Sequence, residues 1–315
     1  MTVNSLQGRH FLSLHDFTAI EIESLLNLAA ELKQQQKKGK PHPLLSGKTL
    51  GMIFQKPSTR TRVSFEVGMW QLGGHALFLN SQDLQMGRGE PIKDTAAVLS
   101  RYVDAIMIRT FEHSEVVELA THASVPIING LTDLLHPCQI LADLLTIREK
   151  LGKLAGLKLA YTGDGNNVAH SLLLGCSKMG LDIAIAAPRQ HWPFPDIVAK
   201  ARENAAKNNS AVQITVDPLE AVKKANVIYT DVWASMGQEA EKKERKNTFV
   251  PYQINNDLVG AAVTGALVMH CLPAYRGDEI TAEVLEGKQS VVLDQAENRL
   301  HAQKSLLVQL MGQAK

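Results

Sequence analysis

The chain has 315 residues, 45% of them hydrophobic, with 33 Lys and Arg against 32 Asp and Glu and a formal net charge of +1. At roughly 150 residues per domain, that length suits two domains with sizeable cores and argues against global disorder. The charge balance excludes a dedicated nucleic-acid binder, which carries a strong basic excess, so any anionic partner is expected to be small and held locally.

The opening residues, MTVNSLQGRHFLSLHDF, lack the apolar run of a secretory signal. No uncharged apolar run of about 18 residues occurs, so no membrane span is expected. The expectation is a cytoplasmic chain. Ile22, Leu25, Leu26 and Leu32 recur at helical spacing over residues 18–35. KTLGMIF (48–54), HALFLN (75–80), DAIMIRT (104–110) and VPIING (125–130) are short apolar runs suited to buried strands. Helical patterns fill 94–102, 114–123 and 136–152. After KLGKLAG, near 150–156, the alternation restarts. Strands are predicted at 157–164, 182–188, 212–217, 227–233 and 266–273, and helices at 167–180, 194–209, 218–226 and 298–313. Strands alternating with helices imply parallel sheets with right-handed crossovers. The stretch 235–252 has no strand-like run and reads as a solvated charged loop or exposed helix turn, or as a flap over a site.

Five stretches carry chemistry. In QKPSTRTRVSFEVG (55–68), Pro57 follows a strand, Ser58 and Thr59 suit a helix cap, and Val63, Val67 and Trp70 fall on one helix face. A helix N-terminus with hydroxyls and Arg60 fits an anion; an ordinary basic cap fits equally well. Arg62, further along the helix, is expected to pair with Glu66 at i+4. His136 and Gln139, one turn apart in HPCQ, offer donors to an oxygen. Cys271 ends a predicted strand, at the edge where open α/β sheets bind ligands, although a cysteine there is more often a small buried hydrophobe. In YTGDGNNVAHS, Gly163 and Gly165 match the start of a dinucleotide fingerprint, but Val168 replaces its third glycine, which argues against a nicotinamide dehydrogenase. Asn166 and Asn167 stand at a helix start there. Asp231 ends another strand and suits a substrate ammonium. Cys138, Cys176 and Cys271 show no disulfide framework and no zinc spacing.

STRTR (58–62), HPCQ (136–139), DVWASMG (231–237) and HCLP (270–273), in that order, resemble the aspartate/ornithine carbamoyltransferase family over essentially the whole chain. SMG and HCLP resemble its ornithine branch. The Pro-Leu-Pro-Arg motif of the aspartate branch does not occur.

The resemblance implies an α/β fold of two domains, each a parallel sheet flanked by helices, with the active site in the cleft between them. Residues 1–150 would bind carbamoyl phosphate and 151–297 ornithine, with the last helix, about 298–315, packing back on the first domain. Ser58, Thr59, Arg60 and Thr61 would bind the phosphate. Arg109 would reach phosphate and carbamoyl oxygen, and His136, Gln139 and Arg299 the carbamoyl group. Gln85 would reach a neighbouring subunit's site. Asn167, Asp231, Ser235 and Met236 would hold the α-amino and α-carboxylate end of ornithine, with Cys271 and Leu272 beside the reacting atoms. The implied reaction yields citrulline, as in arginine biosynthesis or a urea-cycle type step, with no metal or organic cofactor, in a homotrimer or a multiple of trimers. Alternatives are a carbamoyltransferase for putrescine or an acetylated ornithine, and a non-catalytic homologue.

Overall fold

The computed structural model describes residues 6–234 and 242–312. Ser235 and Met236 lie outside the described residues. Two compact units form, one from Met1–Leu145 with Glu297–Lys315, the other from Thr146–Ala296.

The first unit begins with α1 (Ala19–Lys37), started by a capping box. The Thr18 hydroxyl accepts from Glu21 N at 3.2 Å, and the Glu21 carboxylate accepts from Thr18 N at 2.8 Å. Then come β1 (Thr49–Phe54), α2 (Thr59–Gln71), β2 (His75–Asn80), α3 (Ile92–Leu99), β3 (Ala105–Arg109), α4 (His113–His122), β4 (Ile127–Leu131) and α5 (Pro137–Leu151). All pairings are parallel, in the order β2-β1-β3-β4. Strands β1 and β3 are buried along nearly their whole length, as runs such as TLGMIF and AIMIR require when helices cover both faces.

The second unit contains β5 (Lys158–Thr162), α6 (Asn167–Lys178), β6 (Asp182–Ala186), α7 (Pro195–Asn208), β7 (Val212–Thr215), α8 (Pro218–Val222), β8 (Val227–Thr230), α9 (Lys242–Phe249), α10 (Asn256–Gly260), β9 (Leu267–His270) and α11 (Ala282–Leu285). Its parallel sheet runs β7-β6-β5-β8-β9. Helix α12 (Val292–Met311) ends the described chain.

Both strand orders reverse direction once, between β1 and β3 and between β5 and β8. At such a reversal the crossover helices diverge to opposite faces and leave a crevice beyond the carboxyl ends of the strands. Topology alone therefore points to the loops after β1, β3, β5 and β8.

Two sequence expectations need correction. The face of α2 that packs inward is Thr61, Phe65, Gly68 and Met69, whereas Val63 and Trp70 are exposed. The described part of 235–252 takes the helical alternative rather than the loop, and it is not wholly exposed. It holds α9, whose Phe249 is fully buried against Trp233 and Tyr252.

Candidate active site

Helix α2 starts where the sequence places it. Ser58, with extended backbone, is the N-cap, and its Oγ accepts from Thr61 N at 3.2 Å. The backbone N–H groups of the first turn and the positive end of the helix dipole meet there. Arg62 is not part of this socket. Its Nε donates to Glu66 Oε1 at 2.9 Å, one turn on, and its guanidinium lies 3.7 Å from the centre of the Phe78 ring.

Arg299, on α12, organises the rest of the first unit's site. Its Nη1 donates to Gln139 Oε1 at 2.6 Å and its Nη2 to Thr61 Oγ1 at 3.3 Å. Thr61 Oγ1 is also 3.1 Å from Ser58 Oγ. Gln139 in turn donates from Nε2 to Asp143 Oδ1 at 2.8 Å. Buried Asp143 fixes which way the Gln139 amide faces, because a carboxylate accepts only from the NH2 end.

His136 is buried, and its pKa is held well below the ordinary histidine value by desolvation first, then by the positive charges of Arg299, Arg109 and Arg60. The site therefore gathers Arg60, Thr61, Arg109, His136, Gln139 and Arg299 around a neutral imidazole. A neutral imidazole can still donate one hydrogen bond. The unfolded chain protonates this histidine near 6.5, the folded one only at lower pH. Its contribution is present in full above about 6.5 and is lost as pH falls toward the folded-state pKa. Urea unfolding between pH 7 and 5 is expected to show a steeper loss of stability in the parent than in His136→Gln; equal slopes would contradict this.

Thr59 is exposed at the first position of α2, and Gln85 is exposed in the short turn Gln85–Arg88.

Supports that the motifs do not reveal surround this group. Buried Lys56 pairs with Asp133 and lies 4.1 Å from the Phe111 ring centre. Glu115 accepts from Thr110 Oγ1 and, at 2.9 Å, from Gln55 Nε2. These contacts brace the loops after β1, β3 and β4, next to Arg60 in the first turn of α2, Arg109 at the end of β3 and His136 before α5.

The second unit collects acidic and small polar groups. Asp231 follows β8. Its Oδ1 accepts from Cys271 Sγ at 3.0 Å and its Oδ2 from Asn166 Nδ2 at 2.9 Å. Asn166 is the N-cap of α6, with Oδ1 accepting from Val168 N and Ala169 N at 3.0 and 3.2 Å. Asn167, the first residue of α6, stands beside it. The negative field is felt by buried Tyr161, whose pKa rises through desolvation and then through Asp231 and Asp164.

The GxG pattern has a packing role. A Cβ on Gly165 would meet His191 O and Pro193 N at 2.4 Å. Asp164 between the glycines pairs with Arg245 of α9, whose Nε donates to Trp233 O at 2.5 Å.

Leu272 adopts φ 58°, a left-handed conformation that costs a non-glycine residue free energy. His270 and Glu279 hold it. Leu272 N donates to His270 Nδ1 at 2.9 Å, so Nε2 carries the proton and donates to Glu279 Oε1 at 3.1 Å, and Tyr275 N also donates to that oxygen at 2.6 Å. Asp231, His270 and Cys271 place one ligand-type atom each within 4.8 Å of one another. Both imidazole nitrogens of His270 are already committed in this turn, so the trio does not offer a metal an open histidine.

No disulfide joins the three cysteines. Burial pushes the Cys138 thiol up to about 12, and Cys176 is fully buried, while Cys271 is part-exposed. The thiolate is the reactive form. Iodoacetamide on the native chain is expected to label Cys271 well before the other two, as read by peptide mass mapping; equal labelling would contradict this placement.

Among the described residues, no helix is long and apolar enough to cross a membrane. Comparison with known proteins gives a consistent result. The family model "Aspartate/ornithine carbamoyltransferase, carbamoyl-P binding domain" matches residues 9–149, and "Aspartate/ornithine carbamoyltransferase, Asp/Orn binding domain" matches residues 155–310. The ornithine carbamoyltransferase of Thermococcus kodakarensis is 57% identical over 310 residues, 98% of each chain. The anabolic ornithine carbamoyltransferase of Pyrococcus furiosus is 58% identical over 310 residues, again 98% of each chain. A solved structure of ornithine carbamoyltransferase from Pyrococcus furiosus superposes with a TM-score of 0.97 at 58% identity, covering 99% of this chain and 100% of that one. The chain belongs to the aspartate/ornithine carbamoyltransferase family.

Proposed function

We propose that this chain transfers the carbamoyl group of carbamoyl phosphate to the δ-amine of L-ornithine, giving L-citrulline and phosphate. The observation that carries the reading is the first unit's cationic group around a neutral His136, with Arg299 fixed on Gln139 and Thr61. Such a set suits a dianionic phosphate joined to a polar carbonyl. Asp231, with Cys271 and Asn166 fixed on its two oxygens, suits the amine end of the partner substrate.

In this reading Ser58, Thr59, Arg60 and Thr61 hold the phosphate, and Arg109, His136, Gln139 and Arg299 hold the carbamoyl group. The neutral δ-amine attacks the carbamoyl carbon. Negative charge develops on the carbamoyl oxygen, where Thr61, Arg109 and His136 stabilise it as an oxyanion hole does. The bond from carbon to the phosphate oxygen then breaks, phosphate departs with the electron pair, and it takes the amine proton. Cys271 orients the amine and forms no covalent bond to the carbamoyl group. Asn167, Asp231, Ser235, Met236 and Leu272 bind ornithine. The first unit, residues 1–145 with the last helix, serves carbamoyl phosphate and the second serves ornithine. No metal or organic cofactor takes part.

The reading includes a cytoplasmic homotrimer, or a multiple of trimers, in which Gln85 serves a neighbouring subunit's site. Its exposed position supports that, as does the exposed apolar surface of Trp70, Leu77 and Phe78.

A substrate panel tests the specificity. Ornithine is expected to react, and putrescine and N-acetylornithine to react at least 10²-fold more slowly in kcat/KM, because each lacks one of ornithine's charged groups and leaves the second unit's partner for that group buried and unpaired. Equal turnover of putrescine would overturn the ornithine assignment.

A further inference from the structure

Lys304 is fully buried on α12, and none of its three hydrogen-bond partners is a carboxylate. Its Nζ donates to Gln36 Oε1 at 2.9 Å and to Gln71 Oε1 at 2.8 Å, and lies 3.0 Å from His42 Nε2. His42 Nδ1 lies 3.0 Å from Lys40 O, which can only accept. Nδ1 therefore carries the proton, and the Nε2 lone pair faces the lysine. An ammonium has three N–H groups, and all three are used. Gln36 is in the last turn of α1 and Gln71 is the last residue of α2, so the negative ends of two helix dipoles lie beside the charge. Burial lowers its pKa to about 8, which leaves it protonated at neutral pH.

The lysine stem crosses α2 at Gly68, where a Cβ would stand 3.3 Å from Lys304 Cγ. Further toward the start of both helices, the Gln303 amide satisfies both its neighbours when its nitrogen is 2.5 Å from Ser64 Oγ and its oxygen 3.0 Å from Arg299 Nη2. The next link is Arg299 to Thr61. Contacts thus run along α2 and α12 from Lys304 to the site.

We propose that Lys304 is a positioning residue for carbamoyl phosphate: by gathering acceptors from α1, the 40–48 loop and α2, it seats α12 on α2 and sets where Arg299 presents its guanidinium. This rests on the reading that Arg299 serves the carbamoyl group. Misplacement of a site by about 1 Å from a distant change can cost on the order of 10²-fold in rate.

The test uses the full chain with Lys304→Met, which keeps the stem and loses the ammonium, Gln71→Leu, which removes one partner, and Arg299→Ala. Steady-state citrulline formation gives KM for each substrate, with circular dichroism at the assay temperature as the folding check. Lys304→Met is expected to raise the carbamoyl phosphate KM at least tenfold and Gln71→Leu about threefold, with the ornithine KM at saturating carbamoyl phosphate unchanged in both. Unchanged carbamoyl phosphate KM in a folded Lys304→Met chain, or an equal rise for both substrates, would overturn the positioning role. If Lys304→Met does not fold, Gln71→Leu decides by the same two criteria. If Arg299→Ala leaves carbamoyl phosphate KM unchanged, the site assignment itself fails; if Arg299→Ala raises it and the other two variants do not, only the role of Lys304 is overturned.

Discussion

Arg60→Ala is expected to lower kcat for citrulline formation by roughly 10²–10³-fold, the usual loss when one donor to developing charge is removed from an enclosed site. Arg60 stands in the first turn of α2, and its charge is one of three that depress His136. Its loss removes a cation from the departing phosphate and relaxes the field on the imidazole. Carbamoyl phosphate KM should rise as well. Arg62→Ala, two residues on, removes an exposed ion pair with Glu66 at 2.9 Å, and such pairs are worth about 0–1 kcal/mol. Its kcat should stay within about threefold of the parent. Equal losses in the two variants would show that the arginines are not divided as the structure divides them.

Asp231→Asn is expected to raise the ornithine KM by roughly tenfold to 10²-fold, since a hydrogen bond to a charged group contributes about 1.5–3 kcal/mol. Both carboxylate oxygens are engaged, one by Cys271 and one by Asn166. An amide offers an NH2 where one of those donors now points, so the variant also disturbs the Cys271 thiol and the Asn166 cap. Carbamoyl phosphate KM should not move, because its groups lie in the other unit. An ornithine KM unchanged in Asp231→Asn would remove Asp231 from the amine site.

The alternating pattern of strands and helices was legible in the sequence because parallel strands buried on both faces read as short apolar runs, and β1, β3, β5 and β6 are of that kind. The Ser58 cap and the Arg62–Glu66 pair were legible because both depend on neighbours three or four residues apart. The inward face of α2 was not. Apolar spacing picked Val63, Val67 and Trp70, whereas the helix buries Gly68 and Thr61 beside Phe65 and Met69. A small residue where another helix crosses closely carries no hydrophobic signal. Helix α9 carries little apolar signal either, since KKERKNTF is charged at most positions, and it is anchored by Phe249 together with buried, ion-paired Arg245.

Within the site, motif residues were legible and their supports were not. The Gln139–Asp143 contact is an i, i+4 pair on one helix and was open to reading. Lys56–Asp133, Asp164–Arg245 and the Lys304 contacts join residues separated by tens to hundreds of positions. Only the folded chain brings such groups together, and nothing local in the sequence marks them.

If these residues alone carry the carbamoyl group from carbamoyl phosphate to ornithine, the reaction needs no metal and loses no carbamoyl group to water. The most direct measurement is a time course on enzyme treated with a chelator and dialysed, with carbamoyl-labelled carbamoyl phosphate and L-ornithine, counting labelled citrulline and released phosphate together. Equal amounts of the two products are expected at every time point, with full activity after chelation and loss of both products in Arg60→Ala. Phosphate release without labelled citrulline, or activity that returns only when a metal is restored, would contradict this mechanism.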